Sequence, residues 1–155
     1  MVVQLLSTLI LVLVRIKLRP ILSIRIRWYM VIYILSVFFI HEVLHGIGFK
    51  FIGKAKWKNI RIGFHRKLLA PYCSCRGLIM SRRQYIGIML LPNIILSFVI
   101  LIIIVNSYNL FWGFIAGYVL GSGAGDYYMA IKVLKFSEEV RFEDHPAEAG
   151  FYVYY

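Results

Sequence analysis

His41-Glu42-Val43-Leu44-His45 lies inside Trp28–Phe49, a run that is otherwise apolar and long enough to cross a bilayer. On a helix, positions i and i+4 share one face. His41 and His45 can therefore offer two imidazoles to one ion, with Glu42 beside them to take a proton from bound water. The spacing predicts a Zn2+ site at membrane depth and the chemistry of a metal-dependent hydrolase.

The carboxylates sharpen this expectation. The chain holds seven Asp and Glu, and Glu42 is the only one before Asp126. The other five, Glu138, Glu139, Glu143, Asp144 and Glu148, crowd into the C-terminal tail, where water is expected to solvate them. An ionisable group near the bilayer centre costs roughly 2.5–3.5 kcal/mol on insertion scales, so each of the two membrane-depth acids needs a partner. A divalent cation held by two histidines suits Asp126.

At 155 residues, 61% hydrophobic and a mean hydropathy of +0.76, the chain reads as one integral membrane domain, residues 1–155, and not as an ordinary soluble protein. The net charge of +11 is carried by Lys and Arg that flank apolar runs, with no continuous groove of spaced aromatics. Membrane lipids are therefore the expected partners, and nucleic acid is not. Cys73-Ser74-Cys75 is too tight for an easy disulfide and supplies too few ligands for a structural zinc site, so two reduced thiols are expected.

Three spans stand out, Trp28–Phe49, Tyr85–Val105 and about Leu110–Ile131, which makes the fold class mainly α. The run Met1–Val14 is about 14 residues, or about 21 Å as a helix, short of the roughly 30 Å hydrocarbon core. Its charges follow the apolar stretch and no small-residue cleavage site is evident, unlike a secretory signal. Residues 1–27 are expected to form an anchor or interfacial segment, giving a fourth span only if the run is lengthened by snorkelling side chains. The second and third spans form a helical hairpin around the polar turn Asn106-Ser107-Tyr108-Asn109. Pro92-Asn93 should interrupt the second span, where a freed backbone carbonyl and an amide could face the site instead of lipid.

Ten of the eighteen Lys and Arg fall in Lys50–Arg83 and three more follow Ile131, so both stretches are expected on the cytoplasmic side of the cell membrane. Arg15, Lys17, Arg19, Arg25 and Arg27 then lie outside, thirteen basic residues against five. In this multi-pass topology the first and third spans run in the same direction. His45 and Asp126 both fall about 6–8 Å from the same helix end, which places the metal site toward the cytoplasmic face. Gly113, Gly117, Gly121 and Gly125 form a small-residue ridge that would let another helix approach, Gly46 and Gly48 do the same on the first span, and Gly121-Ser122-Gly123-Ala124-Gly125 should loosen the helix before Asp126. Between the first two spans, Lys56–Phe64 and about Leu68–Leu78 read as a β-hairpin whose open edge could take an extended substrate by strand addition. The tail, residues 136–155, ends in Phe151-Tyr152-Val153-Tyr154-Tyr155, expected to form a strand against this hairpin or to dock on lipid.

These residues resemble the zincin peptidase family of small membrane proteins, itself similar in layout to the core of the site-2 proteases. The resemblance covers most of residues 30–155. It rests on His41-Glu42-Val43-Leu44-His45-Gly46, Ala70-Pro71-Tyr72-Cys73, Leu91-Pro92-Asn93 and Gly121-Ser122-Gly123-Ala124-Gly125-Asp126. It implies an intramembrane metallopeptidase in which His41, His45 and Asp126 bind zinc and Glu42 activates water on a peptide or membrane-protein substrate. One departure is visible: site-2 proteases usually follow the corresponding aspartate with glycine, whereas Asp126 precedes Tyr127. Asn93 is a candidate oxyanion donor or substrate contact. Glu138 or Glu139 would be the alternative carboxylate ligand if the tail folds back, and His65 and His145 are weaker ligand candidates. The rival class is a non-proteolytic metal-binding protein or a transporter subunit with the same His and Asp cluster. Neither the oligomeric state nor the particular substrate follows from the sequence.

Overall fold

The computed structural model describes residues 28–65, 70–106, 111–145 and 150–155. The expected N-terminal segment, residues 1–27, and the turn residues 107–109 lie outside the described residues, as does the side chain of His65. The described chain is mainly helical: α1 (Tyr29–Phe51), a 3-10 turn (Trp57–Asn59), β1 (Ile60–His65), β2 (Ala70–Cys75), β3 (Met80–Ser81), α2 (Arg82–Asn106), α3 (Phe111–Ser122), α4 (Ala124–Leu134), β4 (Arg141–Asp144) and β5 (Phe151–Tyr154).

Two of these helices, over Val31–Phe51 and Arg82–Asn106, are long and apolar enough to cross a membrane. The expected third span over Leu110–Ile131 is instead two helices, α3 and α4, of 12 and 11 residues. Neither reaches the roughly 20 residues that a spanning helix needs. The break falls at Gly123, among glycines and a serine that favour helix poorly. Conversely, α2 runs unbroken through Pro92, so the expected interruption of the second span does not occur. A buried helix can absorb one lost amide bond when the freed carbonyl finds another donor.

The chain divides into two compact units, one formed by Met1–Val37 and Asn93–Ala124, the other by Phe38–Pro92 and Gly125–Tyr155. In the first, Phe111, Ile115, Ala116 and Val119 are buried on one face of α3, and Trp112 meets Tyr33 edge-on at 5.1 Å. Asn93 is buried, and its amide occupies the space that a Cβ at Gly123 would need. Only glycine therefore fits at the break.

The second unit holds the larger core. Phe49, Met80, Tyr85, Ile88, Val133 and Phe142 are fully buried in it, and each of these but Tyr85 contributes on the order of 1.5–3 kcal/mol as an apolar side chain removed from water. Gly48 brings α1 close to α2, since a Cβ there would lie 3.2 Å from Ile88 and 3.3 Å from Leu91. Strands β1 and β2 pair antiparallel, Ile60 opposite Cys75 and Phe64 opposite Pro71.

The tail does not join that pair. Strand β4 lies between β3 and β5 in a separate three-stranded sheet. The aromatic residues decide this partner: Tyr85, Phe136, Phe142 and Phe151 pack with ring centroids 5.4 to 6.1 Å apart, contacts worth about 0.5–1.5 kcal/mol each beyond burial.

Candidate metal centre

All the groups of this site lie within the second unit. His41 and His45, one turn apart on α1, sit on its buried face with Leu44 and Phe49, and their rings meet edge-on at 5.0 Å. Asp126, the third residue of α4, reaches both. His41 Nε2 lies 2.9 Å from Asp126 Oδ2, and His45 Nε2 lies 3.4 Å from Asp126 Oδ1. Taking one ligand atom from each residue, the three donors fall within 4.8 Å of one another.

A second contact fixes the protonation of His45. Its Nδ1–H donates to the Ile88 carbonyl at 3.1 Å in the buried interior. A neutral imidazole has one N–H and one lone pair, so in the neutral ring this bond leaves the Nε2 lone pair toward Asp126. Nε2, free of that bond, faces Asp126 Oδ1 across 3.4 Å, where either a proton or a metal ion can bridge the two. His41 has its own unmet group, an Nδ1 buried without a hydrogen-bond partner. Two imidazoles and a carboxylate form a donor set that zinc accepts readily, with a backbone carbonyl behind one of the rings. The residues present therefore fit the ion that the sequence motif anticipates.

Glu42 is half-buried beside this group and accepts the Cys73 amide N–H. The strand explains how. The Arg76 N–H donates to the Asn59 carbonyl at 3.2 Å, so even-numbered amides of β2 turn toward β1, while Cys73 and Cys75 turn their amides to the opposite edge. These two amides are about 7 Å apart, the two-residue repeat of a strand. Cys73 N–H holds Glu42, and Cys75 N–H holds Asp144 of β4.

Asp144 corrects the expectation that water solvates every tail acid. Burial pushes its carboxyl up to about 7, with the Glu42 and Glu143 charges adding to the rise, while the Cys75 amide and the field of His45 act against it. Its neighbour Glu143 staples the turn after β2, accepting the Gly77 N–H at 2.9 Å where Gly77 has φ +68, and also accepting the Tyr154 hydroxyl at 2.6 Å. Sequence reasoning missed Asp144 as a neighbour of the site. Only the apolar residues flanking the tail acids hinted that this segment packs inward.

The remaining candidates have other neighbours. Glu138 is exposed and paired with Arg82 at 2.6 Å and Arg83 at 3.4 Å. Arg82, through a bond to the Phe136 carbonyl, is tied to the same end of the tail. His145 packs against Tyr152. Asn93 belongs to the first unit. The two cysteines are free thiols, and burial raises Cys73 to about 12 and Cys75 to about 11, so both stay protonated at neutral pH.

A family model described as "Putative zincin peptidase" matches residues 34–141, which include His41, Glu42, His45 and Asp126. The chain belongs to this zincin family. No curated protein and no solved structure shows a significant match. Family membership implies zinc, and the group formed by His41, His45 and Asp126 is a possible place for it. The zincin match ends at residue 141, so Asp144 and β5 lie beyond it.

Proposed function

We propose that this chain is an intramembrane zinc metallopeptidase in which His41, His45 and Asp126 hold the metal and Glu42 is the general base. The observation that supports this most strongly is the convergence of ligand atoms of His41, His45 and Asp126 within 4.8 Å of one another, with Glu42 one residue along α1 from His41. A zinc ion in that place supplies a Lewis acid and a water acidified toward a pKa of about 7. Glu42, oriented by the Cys73 amide, takes the proton as the water attacks a peptide carbonyl. It then hands that proton to the departing amine, which lets the C–N bond break without expelling an amide anion.

The substrate we propose is an extended peptide or membrane-protein segment laid beside β2. The β2 amides nearest Glu42 already hold two carboxylates, so strand addition along that edge would have to displace Asp144. The two membrane-length helices support a multi-pass location, and the basic connection between them supports a site toward the cytoplasmic face.

The test is zinc stoichiometry in detergent-purified protein together with peptide cleavage. Wild type should hold one zinc, His41→Ala and Asp126→Ala should hold none, and Glu42→Gln should keep zinc while losing cleavage. A Glu42→Gln protein with unchanged function would favour a metal-binding protein or transporter subunit instead.

A further inference from the structure

Pro92 lies within α2, and in a helix the residue at position 92 would ordinarily donate its N–H to the carbonyl of Ile88. Proline has no amide hydrogen, and its ring crowds the carbonyl four residues back. The Ile88 carbonyl is the one that accepts His45 Nδ1–H at 3.1 Å. Both Pro92 and Ile88 are fully buried, so no water is at hand to take the place of the missing donor. A buried carbonyl left without a partner is costly, and here the partner is a ring nitrogen of a candidate metal ligand.

We propose that Pro92 is a positioning residue for the metal centre: by withholding an amide from the Ile88 carbonyl, it reserves that carbonyl for His45 and so fixes which ring nitrogen faces Asp126. Several features work together. Gly48, by admitting α2 close to α1, brings the carbonyl within reach of the ring. The bond holds a proton on Nδ1, so the nitrogen left for a metal is Nε2, which lies 3.4 Å from Asp126 Oδ1. With an ordinary residue at position 92, its N–H and the His45 ring would have to share the same carbonyl oxygen, which weakens and redirects the bond to the ring. The ring would then be freer to turn and to carry its proton on Nε2, where it blocks a metal. Proline inside a helix is normally a liability, and here the lost bond is transferred to the site.

The zinc part of this proposal rests on the reading of His41, His45 and Asp126 as ligands, but the tautomer part does not. The experiment compares full-length wild type with Pro92→Ala, both labelled with 15N histidine in detergent micelles, first metal-free and then titrated with zinc. In wild type, His45 should be held as the Nδ1–H tautomer. In Pro92→Ala it should become a mixture of tautomers, and zinc affinity should fall 10- to 100-fold, the range typical of losing an outer-shell partner. Replacing a helix-interior proline by alanine favours the helix, so loss of fold is not expected. Unchanged tautomer and unchanged affinity in Pro92→Ala would overturn the proposal. So would a wild-type His45 carrying its proton on Nε2, a result that needs no variant. A wild type that binds no zinc but whose His45 tautomer responds to Pro92→Ala would sink the metal reading and leave the role of Pro92 standing.

Discussion

Asp126 and Asp144 both share an electrostatic influence with His45, yet the fold uses them differently. Asp126, in the first turn of α4, touches both imidazoles through its two oxygens. Asp144, on β4, is held by a backbone amide of β2 and acts on His45 only through its field. One carboxylate competes for the place of an ion, and the other forms part of the wall. Which donor already satisfies a carboxylate therefore says more about its task than the imidazole whose field it feels.

The largest effect that could break this comparison is on metal binding. Asp126→Ala should abolish zinc binding, whereas Asp144→Asn should leave one zinc per chain, both read by metal analysis of the purified proteins. Equal zinc loss in the two would show that both acids are ligands. Next comes Glu42, the proposed base, whose charge both acids feel. Glu42→Gln should reduce peptide cleavage by about 10²- to 10⁴-fold, the usual weight of general acid–base catalysis, without loss of zinc. A smaller effect concerns how Asp126 comes to its place. Helix α4 begins one residue after Gly123, and a Cβ at Gly123 would run into the Asn93 amide. Gly123→Ala should therefore cost about 1–3 kcal/mol, the usual toll of overpacking, measured as a lowered midpoint of unfolding in detergent.

Smaller again is the pH signature of Asp144. Its folded carboxyl titrates near 7, against an ordinary 3.8. Between those values the unfolded chain has already released the proton while the folded chain retains it. Unfolding then releases a proton, so stability falls as pH rises from about 4 to about 7 and levels off above. Asp144→Asn should flatten that part of the unfolding profile of the metal-free protein. An unchanged slope would mean that Asp144 is solvated after all.

The same contrast shows how much could be read in advance. Asp126 was legible because it is the only charge between Gln84 and Ile131, and in apolar surroundings a charge has few ways to be satisfied. His41 and His45 were legible from their spacing, and Pro92 announced a freed carbonyl, although not that His45 would take it. Asp144 was hidden because an acid beside Glu143 and near Glu138 and Glu139 looks like any solvated tail acid. The tail sheet was hidden for a related reason. Its first strand is only Met80-Ser81, too short for alternation to show, and what holds it is the packing of Phe142 and Phe151 on Tyr85. The break in the third run was legible, because Gly121-Ser122-Gly123-Ala124-Gly125 was expected to loosen the helix before Asp126, and there α3 gives way to α4.

Glu138 supplies the smallest expected change and the control on both aspartates. It is a tail acid like Asp144 and was a candidate ligand like Asp126, but its carboxylate is taken by Arg82 and Arg83 at the surface, and the Arg82 bond holds it below the ordinary glutamate range. Exposed ion pairs contribute little, because solvent screens them and two long side chains must be ordered to make them. Glu138→Gln should thus leave zinc stoichiometry, cleavage and the pH profile of unfolding where they are in wild type. If zinc is lost instead, the tail must reach the histidines in solution, and Asp126 would give up its place as the third ligand to a residue that here faces away into the arginines.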